Sequence, residues 1–260
     1  MNPISDFGKG AAYAFSGFSL IRKPGVRPLV AAPLIINAIL FALLMILGVT
    51  WLPDLMDSIM ASLPDYLQWL EWLLWPLFFI LMVVSGGVSC LLLASLIAAP
   101  FAAPLAAAVA RGQGCPPPNG ALNIRETLTE ALGAIGAEFR KFGYFLRLGI
   151  PLFLLSLIPV VQIAAPPLWF LFGAWLLAQE FADYPLGLFG MGFTAQRQRL
   201  KERRMLFFGF GVVTLFATMI PFVNMLAYPA AISGMTALVC GEGLTNPVAT
   251  MDHDEPAQNR

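Results

Sequence analysis

The chain has 260 residues, of which 58% are hydrophobic and only 12% are charged. A soluble domain usually carries about 25% charged residues, so the composition excludes an ordinary soluble protein and indicates an integral membrane protein. The fifteen basic and fifteen acidic residues balance, which argues against nucleic acid as a partner.

Residues 1–28 are predicted to form an interfacial helix followed by a basic turn. Phe7, Ala14 and Phe18 recur at helical spacing, which is typical of an amphipathic helix lying on a membrane. The turn at 22–28 carries three cations, a glycine and two prolines. It leads directly into a long apolar run.

This basic turn is a candidate site for a small anion. The N-terminus of a helix exposes unpaired N–H groups and the positive end of the helix dipole. Pro28 suits the start of a helix because its φ is already helical, and Gly25 lets the backbone approach a ligand closely. The alternative is that these cations only set topology and hold lipid phosphates.

Two transmembrane helices are predicted, at 29–52 and 76–111. The segment between them, 53–75, is acidic and rich in tryptophan, and it contains no lysine or arginine. Tryptophan belongs at the headgroup level, and basic residues mark the inner side. The charge pattern therefore predicts a cytoplasmic amino terminus and an outer segment at 53–75. No cleavable signal is expected, because the first apolar run is longer than a signal sequence requires.

The second half is predicted to contain a surface helix and first hairpin at 123–190, a second hairpin at 205–240 and a polar tail at 241–260. The two hairpin regions share an Ile-Pro-x-Val pattern at a single offset, which favours an internal repeat. The arm at 229–240 reaches only about 18 Å at 1.5 Å per residue, short of a hydrocarbon core of about 30 Å. We therefore predict re-entrant hairpins, with four ordinary spans as the alternative. Their predicted turns contain Pro159, Gln162, Pro221 and Asn224.

Folding the first hairpin about Gln162 places Glu180 and Asp183 near the level of Lys141 and Arg147. Ionisable groups at the edge of an apolar bundle often mark an ion route, although a structural ion pair explains them as well. The predicted pore and charge network comprises Glu138, Arg140, Lys141, Arg147, Glu180 and Asp183.

Enzymatic signals are absent from the sequence. It has no phosphate-binding loop of the G-x-x-x-x-G-K-[ST] type, and its single histidine, His253, lies in the polar tail. Cys90, Cys115 and Cys240 are far apart in sequence and show no metal-ligand spacing. We therefore expect no enzyme activity, no cofactor and no metal.

Several short segments together resemble the CysZ-type sulfate permeases. They are Pro24-Gly25-Val26-Arg27, Pro33 with Asn37, residues 97–101, residues 168–175, Asp183-Tyr184-Pro185 and Met219-Ile220-Pro221. Their order and spacing cover about 13–240, and this makes the resemblance specific.

The resemblance implies an all-α fold with two long transmembrane helices, two partly inserted helical hairpins and amphipathic surface helices. It also implies a homo-oligomer in the bacterial inner membrane. Its function would be sulfate uptake for cysteine biosynthesis. In that family the turn before the first transmembrane helix binds the anion, which transfers here to Gly25, Val26 and Arg27. Pro28 stands where the family commonly has a second arginine, so Arg22 or Lys23 would have to replace it.

Two functions of different classes are weighed from the sequence. The leading hypothesis is a multi-pass sulfate permease or channel without its own ATPase, with sulfite or related oxyanions as further candidates and the lipid bilayer as its other partner. The rival is a non-transporting membrane scaffold or regulatory protein.

Overall fold

The computed structural model describes residues 2–62, 71–118, 143–158 and 161–245. All regular elements in these ranges are helical, which confirms the predicted all-α class. We number the helices in chain order: α1 (Pro3–Leu20), α2 (Arg27–Ser62), α3 (Glu71–Gly112), α4 (Gly143–Ser156), α5 (Ala165–Leu188), α6 (Phe193–Glu202), α7 (Arg204–Met219) and α8 (Pro221–Gly241). A 3-10 turn at Val161–Ala164 precedes α5. The predicted surface helix before 143 lies outside the described residues.

The chain divides into two compact units. Pro28–Phe101, called here the two-helix unit, contains α2 except for its first residue, and most of α3. The described parts of Met1–Arg27 and Ala102–Arg260, called here the hairpin unit, contain α1 and α4 to α8.

The two-helix unit exposes most of the apolar surface of α2. Over Arg27–Ile59 this helix is long and apolar enough to cross a membrane, and only 6% of its most apolar stretch is buried. Ile39, Ile46 and Val49 are all exposed, while the Met82 side chain of α3 lies against Gly48. A helix that is apolar all round and has so little protein cover suits a lipid environment.

Both helices of this unit extend beyond their predicted limits. The predicted first span ended at residue 52, but α2 continues through Pro53 to Ser62, and α3 begins at Glu71. A proline removes only one helical hydrogen bond, and the residues after Pro53 include no glycine to stop the helix. The described ends of the predicted outer segment 53–75 are therefore helical.

Close backbone contacts hold the core of the hairpin unit together, where α1 packs on α7 and α8. The position of a Cβ on Gly10 would coincide with the carbonyl oxygen of Leu206, and one on Gly17 with the carbonyl oxygen of Ala230. Gly209 lies equally close to the Phe7 carbonyl oxygen. Small residues at such crossings let two helix backbones approach each other, so any larger residue would separate these helices.

The buried face of α1 differs from the predicted apolar face. The helix itself is confirmed, but its buried residues are Asp6, Gly10, Ala14, Gly17 and Leu20. The periodicity of large apolar residues indicates which face of a helix is expected to contact an apolar environment. It cannot identify a face that packs closely through glycine, because glycine carries no hydrophobic signal.

Helices α7 and α8 form an antiparallel helical hairpin. They contact each other, and a single extended residue, Ile220 with φ −94° and ψ 113°, joins them. Arg203, just before α7, bonds Glu242, just after α8, at 2.6 Å, so the open ends of the hairpin lie side by side.

The predicted short second arm of this hairpin is wrong. Pro229 lies inside α8, which begins at Pro221 and has 21 residues. At 1.5 Å per residue the arm is about 31 Å long, rather than the length expected for 229–240. The reason is that an internal proline removes only one helical hydrogen bond, here the one to the Met225 carbonyl, and a single carbonyl freed in this way is tolerated within a helix.

Helices α4 and α5 form a second antiparallel hairpin. Near the turn the Trp169 indole donates to the Ser156 hydroxyl at 3.0 Å, and further away the Trp175 indole donates to the Tyr144 hydroxyl at 3.4 Å. Gln162 lies in the 3-10 turn between the two helices and is exposed.

Candidate anion-binding site

The basic turn lies between α1 and α2 in the hairpin unit. Buried Ile21 and Val26 anchor it, while Arg22, Lys23 and Arg27 are exposed. Among the described residues, no carboxylate lies within ion-pair distance of these three cations. Three cations close together in sequence and without a counter-ion form a positive patch that can attract an anion.

Most backbone donors of the turn are already used within it. The Val26 and Arg27 N–H groups both donate to the Lys23 carbonyl oxygen at 2.9 Å. For the Gly25 N–H the described part of the chain provides no backbone acceptor. A Cβ on Gly25 would meet nothing within 4 Å, so the space beside this N–H is open. The Arg27 guanidinium and the Gly25 N–H are therefore the candidate donors of this turn to an anion.

A second arginine, Arg203, has the opposite environment. Its guanidinium donates to Asp6 at 2.7 and 3.3 Å and to Glu242 at 2.6 Å. Lys9 lies 3.5 Å from the other oxygen of Glu242. This Arg203 cluster links α1, the start of α7 and the end of α8, and the side chains of Arg203, Asp6 and Glu242 are mostly buried. Its cation is fully paired, so it fixes the fold and is not available to a ligand.

The Arg203 cluster also changes the titration of its members. The hydrogen bond from Arg203 holds the pKa of the Asp6 carboxyl below its usual value, despite the opposing effect of burial. Burial, reinforced by the negative charge of Glu242, raises the pKa of Tyr13. Both shifts favour a charged Asp6 and a neutral Tyr13 at neutral pH.

A cavity of 420 Å³ lies between α4, α5 and α6. Two residues of the predicted charge network, Glu180 and Asp183, line it together with Arg197. The Tyr184 hydroxyl, also in the lining, is hydrogen-bonded to the hydroxyl of Tyr228 on α8. The cavity thus brings charges of both signs together beside the α4/α5 hairpin.

Comparison with known proteins decides the family. Residues 13–229 match the family model described as "Sulfate transporter CysZ/Etoposide-induced protein 2.4". A protein of Pseudomonas aeruginosa strain LESB58 named sulfate transporter CysZ is 37% identical over 230 residues, which cover 87% of this chain and 92% of the relative. The chain belongs to this family.

Other relatives of the same name agree with this assignment. The sulfate transporter CysZ of Pseudomonas fluorescens strain Pf0-1 is 38% identical over 230 residues, 87% of this chain and 91% of the relative. That of Pectobacterium atrosepticum is 36% identical over 238 residues, 88% of this chain and 83% of the relative. Together with the apolar helices, membership of the CysZ family identifies a membrane protein.

The other residues of the predicted charge network are only partly described. Glu138, Arg140 and Lys141 lie outside the described residues. Arg147 is exposed on α4 and does not line the cavity. Within the described part of the chain it forms no ion pair with Glu180 or Asp183.

Three of the four predicted hairpin-turn residues are described, and these three lie at or beside the two turns. Pro221 is the first residue of α8, and Asn224 is exposed one turn later, with its N–H donating to the Ile220 carbonyl oxygen at 2.8 Å. Gln162 lies in the other turn, while Pro159 is outside the described residues.

Proposed function

We propose that this CysZ-family protein takes up sulfate across the bacterial inner membrane as a permease or channel, without an ATPase of its own, and so supplies cysteine biosynthesis. One observation carries the proposal: a turn with three exposed cations, for which the described residues provide no counter-ion, opens α2 in a chain whose relatives are named sulfate transporters. It acts by binding and passage and not as an enzyme.

Sulfate is captured at the basic turn. Arg22, Lys23 and Arg27 raise the local concentration of anions by electrostatic attraction. The Arg27 guanidinium then binds two sulfate oxygens in its planar fork, and the Gly25 N–H donates to the anion. Val26 holds the turn in place through its buried side chain. Pro28 adds no donor, so Arg27 carries most of the side-chain binding.

The two hairpins enter the membrane from the cytoplasmic side and turn back within it, although α8 is long and apolar enough to cross a membrane. Support comes from their tips, where Leu157, Ile163, Met219 and Ile220 are all exposed and apolar. The open end of the α7/α8 hairpin instead carries the charged Arg203 cluster. Apolar tips favour hydrocarbon and charged ends favour water, so the hairpins insert tip first and leave the amino terminus in the cytoplasm.

Sulfate passes beside the first hairpin. The pathway uses the charges of Glu138, Arg140, Lys141, Arg147, Glu180 and Asp183, which set the field along it. The working form is a homo-oligomer embedded in lipid, as the sequence resemblance implies.

Uptake of labelled sulfate into liposomes tests the proposed function. Vesicles containing the purified protein should accumulate sulfate faster than empty vesicles, and sulfite should compete with it. A control is the variant Arg204→Gln, which removes one positive charge from an exposed residue whose side chain donates to the nearby Lys201 carbonyl oxygen; its uptake should equal that of the wild type. Equal flux with and without the protein would refute transport and favour a scaffold.

The insertion of the hairpins is tested separately. In a chain whose three native cysteines are changed to serine, single cysteines replacing Ile220 and Lys201 are exposed to a membrane-impermeant maleimide in sealed inverted and right-side-out vesicles. Lys201→Cys should react only from the cytoplasmic face, and Ile220→Cys from neither face. Labelling of Ile220→Cys from the outside would show that α7 and α8 cross the membrane.

A further inference from the structure

The cavity between α4, α5 and α6 contains two buried donors whose hydrogen bonds are not satisfied by the described protein. Gln179 is only 7% exposed. Its Nε2 and the Nη2 of Arg197 are both buried, and no acceptor from the described residues reaches either nitrogen. Gln196, a second glutamine in the lining, instead donates to the Met191 carbonyl oxygen at 2.8 Å. Buried donors without partners are costly, so these two indicate a missing acceptor.

The Arg197 side chain is held rigidly against aromatic rings. The centre of its guanidinium lies 3.0 Å from the ring centroid of Tyr144 and 5.0 Å from that of Phe193. Tyr144 is held in turn by the Trp175 indole. Stacking of this kind covers the faces of a guanidinium and leaves the N–H groups at its edge for a planar or tetrahedral anion. The site is therefore pre-organised, which lowers the entropic cost of binding.

The unsatisfied donors in the cavity favour an acceptor-rich ligand over a cation, although the lining carries two carboxylates and one arginine. Glu180 and Asp183 could attract a cation, but both already have interaction partners. The groups still lacking partners are the donors of Gln179 and Arg197. A ligand that completes the hydrogen bonding must therefore supply oxygen acceptors and accommodate a positive guanidinium.

We propose that this cavity is a second oxyanion site, in which the Arg197 guanidinium and the Gln179 amide bind sulfate or a similar tetrahedral oxyanion. The proposal rests on the proposed transport of sulfate. It adds a second binding site, inside the hairpin unit, to the first site at the basic turn. The volume of 420 Å³ falls within the range of small-molecule sites and leaves room for waters beside the anion. Waters mediate its contacts to the carboxylates, which otherwise repel it.

Equilibrium binding of labelled sulfate to the purified full-length protein in lipid nanodiscs tests this site apart from transport. Wild-type protein should bind two sulfates per chain. Arg197→Gln and Gln179→Leu should each weaken sulfate binding at the cavity by about tenfold or more, the loss expected for a hydrogen bond to a charged ligand. Arg27→Ala should weaken sulfate binding at the basic turn. Arg204→Gln, the matched charge control, should leave both unchanged, and Arg197→Lys should preserve part of the affinity.

The outcomes separate the proposals. If Arg197→Gln and Gln179→Leu both leave stoichiometry and affinity at wild-type values, the cavity holds only water or a cation and the second site is refuted, whatever the flux. Binding at the site sensitive to Arg27 reports whether each variant is folded. If Arg197→Gln does not fold, the Gln179→Leu result decides. Absent flux in the liposome experiment refutes the transport function while two-site binding can still be measured.

Discussion

Arg27 and Arg203 are the same residue type in the same unit, and their environments are opposite. Arg203 is mostly buried and bonded to two carboxylates, Asp6 and Glu242. Arg27 is exposed, and no described carboxylate lies within ion-pair distance of it. A guanidinium whose donors are already satisfied stabilises the fold, whereas one without a counter-ion can bind an anion from solution. The counter-ion, more than the arginine itself, separates a structural cation from a functional one.

Arg203→Gln should produce the largest effect, on stability. It leaves Asp6 and Glu242 mostly buried without their shared cation, and breaking a buried ion pair in this way is strongly destabilising. We expect the midpoint of thermal unfolding in detergent to fall by about 5 °C or more. Sulfate affinity of the folded fraction should not change. An unchanged midpoint would show that the Arg203 cluster contributes little to the fold.

Arg27→Ala should lower sulfate affinity and leave stability unchanged, the reverse of Arg203→Gln. Sulfate affinity should fall by about ten- to hundredfold, the loss of a charged hydrogen bond to the anion, and the unfolding midpoint should stay within error of the wild type. Isothermal titration measures the first quantity and a thermal melt the second. Arg204→Ala is the matched control, since Arg204 is also exposed. Wild-type affinity in the Arg27 variant would remove this residue from the site.

The Arg203 cluster also predicts a pH effect. Since the folded pKa of Asp6 is below its ordinary value of 3.8, its charge contributes stability that is complete above that value. This contribution is lost as the pH falls through the folded pKa. Melts recorded from pH 6 downward should show wild-type stability declining below about pH 4. The Asp6→Asn variant should have a lower unfolding midpoint at pH 6, and its midpoint should decline less as the pH falls. Parallel curves for the two proteins would contradict the pairing.

Pro28→Arg should have the smallest effect and the opposite sign. Pro28 is exposed, so an arginine fits sterically and restores the second cation common in the resembling family. We expect sulfate to bind a few times more tightly, because the added charge lies at the surface and is screened. Pro28→Gln controls for the loss of the proline ring. Equal affinities for the two variants would show that position 28 does not face the anion.

The sequence predicts local features well in this protein. The helix before the turn and the basic turn itself depend on neighbouring residues, and both lie where predicted. Two prolines of the second hairpin show the limit of this approach. Pro221 begins α8, while Pro229 lies inside it, since tertiary contacts decide whether a proline ends a helix or is accommodated.

Features that join distant parts of the chain could not be predicted in the same way. Asp6 and Arg203 are 197 residues apart, and nothing in the local pattern of either residue indicates the other. Hydrophobic periodicity also does not predict the close packing of Gly10 on α7 and of Gly17 on α8. Arg197 was recognisable only as one of several basic residues at 197–204, because its aromatic partner Tyr144 belongs to another helix.

A structure determined with selenate in place of sulfate tests the central claim most directly, since selenium marks the anion by its anomalous scattering. We predict an anomalous peak at the basic turn, within hydrogen-bond distance of the Arg27 guanidinium and beside the Gly25 N–H. An anion found elsewhere in the protein while this turn remains empty at saturating selenate would contradict the assignment of the turn as the anion-binding site.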